Sequence, residues 1–229
     1  MKKIIALLLC CMVLFVACKE EKFEGYQGKH YILTFAPEND YTPTQEQTDK
    51  EVEIITSRAA LYSAAAKVTV NNKQISVDIP KDSTNWFLGE KLLTEKLAKN
   101  ARLLFVEGNA EESSLNKENP EKIILENEDV ETISPVEING KDGDTQYVLS
   151  FVFDEEGKKK FADSTTELAK NNGKISIWLD DVILAVFTVN TPLLDGKTYV
   201  TGNFTAETVM GIVTEINTGT LPYALKVVK

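Results

Sequence analysis

The chain has 229 residues, 43% hydrophobic and 26% charged, the proportions of a folded globular protein rather than a disordered one. With 35 acidic against 25 basic residues it carries a net charge of -10 at pH 7, which argues against a nucleic-acid partner. Its cysteines are Cys10, Cys11 and Cys18, so the body past Cys18 has no thiol for a disulfide, a redox motif or a thiolate metal site.

Lys2 and Lys3 precede an apolar run from Ile4 to Ala17. That run suits a signal-peptide core and falls short of the roughly 20 residues a spanning helix needs. It closes on Leu14-Phe15-Val16-Ala17-Cys18, which resembles the bacterial lipoprotein box, with Phe15 where leucine is usual. The resemblance implies a signal peptide over 1–17, acylation of Cys18 and a tether over 18–27. It places the body on the extracytoplasmic side of the cell membrane, in the periplasm or at the cell surface, with the membrane as a partner through its lipid. Loss of Lys2 and Lys3 leaves 23 basic residues against 35 acidic ones, a charge near -12.

Beyond the tether, His30 to Ala36 alternates as a strand. Thr42-Pro43-Thr44-Gln45 predicts a helix start, with Thr42 as N-cap and Gln45 as its reciprocal partner. Val52, Ile55, Ala59 and Tyr62 follow at helical spacing. Lys67–Val70 and Gln74–Ile79 read as a hairpin about Asn71-Asn72-Lys73, Leu88, Leu92 and Leu93 mark a second helix, and Arg102–Val106 is the expected closing strand. The order is strand, helix, strand, strand, helix, strand, the ferredoxin-like α+β plan.

Gly108 to Pro120 is polar and acidic and reads as a linker, Ile123–Leu125 predicts a new strand, and Lys141-Asp142-Gly143-Asp144 a turn. From Tyr147 the plan is predicted to repeat. Leu149, Phe151 and Phe153 alternate, Asp154 caps a helix through Phe161 and Leu168, and Asn172-Gly173 ends it. Ile175, Ile177 and Leu179 form a strand, Asp180-Asp181 turns, and Val182–Val189 returns. Tyr199–Phe204 is expected as a strand, Thr205 as the cap of a helix ending near Gly219, and Leu221-Pro222 as the entry to a last strand reaching Val228.

No enzyme is expected, and no cofactor. His30 is the sole histidine, set among hydrophobes as a structural residue, and no G-x-S-x-G word accompanies it. The acidic groups Glu126-Asn127-Glu128-Asp129 and Asp142-Gly143-Asp144 lack EF-hand spacing and read as solvated loops, so no metal is expected either.

Phe151-Val152-Phe153-Asp154-Glu155-Glu156-Gly157 opens a set of words whose order resembles the first extracytoplasmic domain of SecD, a subunit of the SecDF protein-export translocase. Gly157, Phe161 and Thr165 match that family's strand-to-helix word, and Gly173, Ile175, Ile177, Leu179 and Asp180 its next strand and turn. Gly196, Gly202, Phe204, Thr205 and Glu207 match its glycine-to-helix word, and Gly219, Leu221 and Pro222 its exit; Val186 stands where proline is usual. In the first half, Glu53 to Arg58 resembles the helix that ends in an arginine pair, of which Arg58 remains, and Ile75–Pro80 a strand before Pro-Gly, with Lys81 replacing glycine. The resemblance implies an α+β fold of mostly antiparallel sheets with helices on one face. Its parts are a base over 28–107, a linker and the start of the head over 108–145, and a head with the final strand over 146–229. It implies structural roles for the matched residues and leaves the ligand-binding residues unassigned. The function it implies is accessory to protein export, contacting translocating or unfolded polypeptide or translocase subunits, without proton coupling of its own. The alternative is an envelope lipoprotein that uses the same fold for another ligand or partner.

Overall fold

The computed structural model describes residues 28–82, 84–139 and 145–228. The signal segment, Cys18, the tether and the Lys141–Asp144 turn lie outside the described residues. In chain order the elements are β1 (His30–Pro37), α1 (Gln45–Ala60), β2 (Lys67–Asn71), β3 (Gln74–Pro80), α2 (Glu90–Ala98), β4 (Leu103–Glu107), α3 (Ala110–Asn116), β5 (Ile123–Glu126), β6 (Val130–Asn139), β7 (Thr145–Phe153), α4 (Glu155–Ala169), β8 (Lys174–Leu179), β9 (Val182–Thr188), β10 (Lys197–Val200), α5 (Ala206–Asn217) and β11 (Leu225–Val227). They form two units: residues 28–98 with 225–228, and Lys99–Ala224.

The first unit is a four-stranded antiparallel sheet in the order β11-β1-β3-β2. Alternation decides its faces: Tyr31, Leu33 and Phe35 of β1 and Ile75, Val77 and Ile79 of β3 are buried, while Ile32 between them is exposed. Ile54, Ile55 and Ala59 of α1 and Leu93 and Leu97 of α2 complete this core. The ferredoxin-like order is therefore present, but Arg102–Val106 does not close it. That place is taken by β11, whose Phe35↔Val227 to Pro37↔Leu225 register extends β1. Hydrophobicity explains the exchange. Leu103, Leu104, Phe105 and Val106 are all buried and need cover on both faces, whereas β11 buries Leu225 and exposes Lys226 and Val227, as an edge strand can. The N-cap of α1 is Thr44 rather than Thr42. Its hydroxyl accepts from Gln47 N (3.2 Å) while the Gln47 carboxamide oxygen accepts from Thr44 N (3.0 Å) and from the Tyr41 hydroxyl (3.0 Å).

The second unit holds two antiparallel sheets, β5-β4-β8-β9 and β10-β7-β6. Its second half is thus not a repeat of the ferredoxin-like plan. Alternate residues of β4 and β8 (Leu103, Phe105, Ile175, Ile177, Leu179) join Ile133, Leu149, Phe151 and Phe153 of the other sheet in one core, with Phe161 of α4 and Val209, Ile212, Val213 and Ile216 of α5. Phe105 sits edge-on to Phe151 (5.4 Å), Phe153 (5.6 Å) and Phe161 (6.0 Å), a geometry contributing roughly 0.5–1.5 kcal/mol per pair beyond area burial. The opposite side chains, Leu104, Val106 and Trp178, form a smaller cluster with Ile123 and Ile183.

That smaller cluster explains why Gly108–Pro120 is no linker. Asn109 caps α3, accepting from Glu111 N and Glu112 N while Glu112 accepts from Asn109 N (3.0 Å). Buried Ser113 accepts the Trp178 indole N–H (3.2 Å), and the Lys117 ammonium lies 4.9 Å from the Trp178 ring centroid. The expected boundaries shift accordingly. The base ends at Ala98 instead of 107, residues 108–145 belong to the second unit, and the final strand belongs to the first. The strand expected over Tyr199–Phe204 is Lys197–Val200, because Gly202 lets the Phe204 ring fold back to within 2.9 Å of where a Cβ would stand.

Candidate polypeptide-contact surface

The matched residues occupy places that hold the fold. Gly157 is in the first turn of α4, and a Cβ there would lie 2.4 Å from the Asp129 carbonyl oxygen, so only hydrogen fits. The Asp154 carboxylate caps the helix at Gly157 N (2.7 Å), and buried Asp129 takes an ion pair from Lys160 (2.8 Å), which also reaches Glu156 (3.1 Å). Hydrogen bonds donated by Lys160 to these two carboxylates, Asp129 foremost, raise its pKa above its ordinary range. Phe161 is fully buried, and the hydroxyl of buried Thr165 donates to Phe161 O (2.7 Å) while accepting Leu193 N (3.0 Å).

Asp180 adopts φ 55° in the β8–β9 turn and accepts from Ala101 N (3.1 Å) and Arg102 N (2.8 Å), fastening the hairpin to the segment that leads into β4. Gly219 follows α5 at φ 96°, the left-handed geometry of a helix terminator, and Pro222 follows Leu221, whose N–H donates to Asn100 O (3.0 Å). Phe204 packs against the main core. In the first unit, buried Arg58 donates to Leu97 O (2.8 Å), tying α1 to the end of α2. These groups do not converge on a reaction centre.

His30 is exposed on β1 and its Nδ1 lies 2.5 Å from Asp78 Oδ1, itself exposed. The pair sits on the open sheet face. Among the described residues no cluster of three or more His, Cys, Asp or Glu could hold a metal, and Asn127–Asp129 is a short 3-10 turn whose Asp129 faces Lys160. An open cleft of about 400 Å³ beside α1 brings Asp49 and Lys73 to a wall of Pro43, Val52 and Val70; Lys73 donates to Thr42 (3.4 Å).

What the second unit does offer is a sheet edge. Its four edge strands differ in protection. β6 carries Glu131, Pro135 and Glu137, β5 ends in Glu126, and β10 begins with Lys197. Charge and proline are the usual devices that keep an edge from pairing with another chain. β9, Val182-Ile183-Leu184-Ala185-Val186-Phe187-Thr188, has neither. Val182 is 57% exposed and Val186 40%. One residue, Leu184, has no partner where the register passes from Ile177↔Ala185 to Trp178↔Ile183, so the edge is bent there and regular toward Thr188. An edge of this kind can accept an extended peptide through main-chain hydrogen bonds, with apolar side chains beside it. Sequence reading placed the β9 strand but not its edge position, which depends on β8 pairing with β4.

Among the described residues no helix is long and apolar enough to cross a membrane. The family described as SecDF, P1 head subdomain, matches residues 104–223. The chain is 31% identical over 90 residues to the protein translocase subunit SecD of Synechocystis, a match covering 37% of this chain and 19% of that protein. It is 36% identical over 90 residues to the same subunit of Rickettsia bellii, covering 38% and 17%. The match thus spans less than a fifth of the length of these curated relatives. Among solved structures, SecDF in a super-membrane-facing form aligns with 97% of this chain and 33% of its own, at TM-score 0.70 and 20% identity. A structure of SecDF described as a membrane component that enhances protein export aligns with 86% of this chain and 98% of its own, at TM-score 0.65 and 19% identity. At those identities the likeness is one of fold.

Proposed function

Since the chain belongs to the SecDF P1 head family, its second unit being built on that subdomain, we propose that it is a lipid-anchored binding protein that contacts exported polypeptide on the extracytoplasmic side. The observation that carries the reading is the unprotected β9 edge, a seven-residue apolar strand without a charge or proline. An emerging, unfolded polypeptide offers unpaired main-chain groups, which such an edge satisfies with little regard to sequence. Contact of this type is weak, and anchorage through Cys18 strengthens it by raising the local concentration near the membrane. The role involves no catalysis and no proton-driven movement of its own.

A photoactivatable residue replacing Val186, in cells exporting a stalled precursor, tests the contact. Crosslinks to the precursor from Val186 and none from Glu137, on the protected β6 edge, are expected. Equal labelling from both positions, or none from Val186, would sink the assignment. The anchor is tested separately, by the mass of the mature N-terminus: diacylglyceryl on Cys18 is expected, and a chain that keeps residues 1–17 with an unmodified Cys18 refutes it.

A further inference from the structure

The first unit carries an exposed aromatic pair that the polypeptide-contact reading does not use. Trp86 is 41% exposed and Phe87 65%, their rings edge to face at 6.1 Å. Solvent-facing aromatics on a loose loop would mean little, but this loop is held. Asn85, 1% exposed, donates to Pro80 O (2.9 Å) and Tyr62 O (3.0 Å) and accepts from Asp82 N (3.0 Å). Asp82 accepts from Thr84 N (2.7 Å) and Thr84 Oγ1 (2.6 Å), Trp86 N donates to Asp82 O (3.0 Å), and Leu88 N donates to Asn85 O (2.9 Å). The Tyr31 hydroxyl donates into the loop carbonyls, to Trp86 O at 3.0 Å and also to Leu88 O. Residues 84–88 are therefore held from within while two large apolar rings point outward.

The loop also lies where the chain enters the unit. Lys81 N donates to Lys29 O (2.9 Å), and His30 pairs with Pro80 across β1 and β3. Between Cys18 and Gly28 there are nine residues, and such a segment spans at most about 35 Å when fully extended. Whatever holds Cys18 thus stays within that reach of Gly28, beside the Lys29–Lys81 hydrogen bond at the start of the loop. Indole and phenyl rings are favoured at the boundary between lipid headgroups and acyl chains. The charged groups of the loop, Lys81 and Asp82, carry opposite signs, and the chain as a whole is acidic, so anionic headgroups gain nothing. The Lys81 ammonium is occupied 3.9 Å from the Tyr31 ring centroid.

We propose that the Trp86–Phe87 loop inserts into the zwitterionic lipid surface of the membrane that holds Cys18, giving the first unit a second attachment point. This inference rests on the lipid-anchor reading. The two attachments act together: a single acyl signal binds reversibly, and a second apolar contact lengthens residence.

The test uses the full chain reconstituted in phosphatidylcholine vesicles, with and without doxyl-labelled phosphatidylcholine. Trp86 shares the chain with Trp178 alone, which is 5% exposed and reports the interior. Expected are lipid-dependent quenching and a blue shift of the emission, with most of the quenching lost in Trp86→Phe. Undiminished quenching in Trp86→Phe, or none in the parent chain, overturns the inference. Intact mass, read on the same samples, separates the two readings. An acylated chain with unquenched Trp86 removes the insertion and leaves the anchor, while an unacylated chain quenched by added vesicles removes the anchor and leaves the insertion. Discrete protein adducts in place of lipid adducts from a benzophenone at Phe87, in native membranes, would assign the loop to a protein partner and overturn the proposal.

Discussion

Replacing Gly157 by alanine sets two effects against each other, and the structure decides the sign. Helix propensity favours alanine over glycine by roughly 0.8–1.0 kcal/mol in a helix interior, and by less in the first turn of α4, where Gly157 lies. Against this, the new Cβ would stand 2.4 Å from the Asp129 carbonyl oxygen and 2.8 Å from its Cβ. A relief of the order of 1 Å must come from backbone, and overpacking of this kind costs typically 1–3 kcal/mol. The same shift stretches the Asp154 N to Asp129 O bond (3.1 Å), the Glu126 N to Asp129 Oδ2 bond (2.9 Å) and the Lys160 pair (2.8 Å). A net loss of about 1–3 kcal/mol follows, which lowers the melting of the second unit by roughly 3–10 °C. Gly211 is the internal control. It lies within α5 with nothing within 4 Å of its would-be Cβ, so Gly211→Ala should gain up to about 1 kcal/mol, a rise of roughly 2–4 °C. Thermal unfolding followed by Trp178 emission, in a Trp86→Phe background, reads the second unit selectively. A Gly157→Ala protein as stable as its parent would refute the close approach of α4 to Asp129.

Three further outcomes test other joints. Thr165→Val keeps the volume but removes the acceptor of Leu193 N, so stability falls by about 1–2 kcal/mol and hydrogen exchange at the Leu193 amide accelerates; unchanged exchange there refutes the bond. Asp180→Ala loses the acceptors of Ala101 N and Arg102 N and puts alanine at φ 55°, a loss of about 2–4 kcal/mol. Asp180→Asn, which tolerates that backbone, should lose clearly less in denaturant titration. Finally, Asp181 is held below the usual carboxylate range, first by the Lys117 hydrogen bond and then by its charge. A depressed pKa contributes stability above the unfolded value near 3.8, and this is lost as pH falls through the folded value. Asp181→Asn should therefore match its parent at the acid end and fall slightly below it at neutral pH; a constant difference across that range would exclude the Lys117 bond as its source.

Much of the local structure was legible because its causes are local. The alternation of Leu149, Phe151 and Phe153, the Asp154 cap and the Asp180-Asp181 turn lie in short windows of sequence, and each occurs where the pattern puts it. What was not legible depends on partners distant in sequence. The continuous burial of Leu103 to Val106 marks a central strand, but nothing in those residues says that β8 and β5 flank it. The residues of α3 look like a linker because its outer face is polar; its reason for being helical is Trp178, more than sixty residues on. The β9 edge and the Trp86–Phe87 loop escaped for the opposite reason. Sequence patterning reports what the core wants, and both features are defined by what the core leaves uncovered.

The β11–β1 pairing has a consequence for how the chain comes to be folded. The first sheet lacks its fourth strand until residues 225–227 arrive, after every residue of the second unit has been made. If the chain emerges N-terminus first, β1 presents its Phe35–Pro37 edge unpaired for most of that passage, while Lys99–Ala224 can complete both its own sheets at once. Contacts of such long sequence separation are the slowest to form and leave a nascent chain open to mispairing. The protein thus passes through its own biogenesis with an open strand edge, and a chain arrested short of Leu225 should be the form that proteases and chaperones find first.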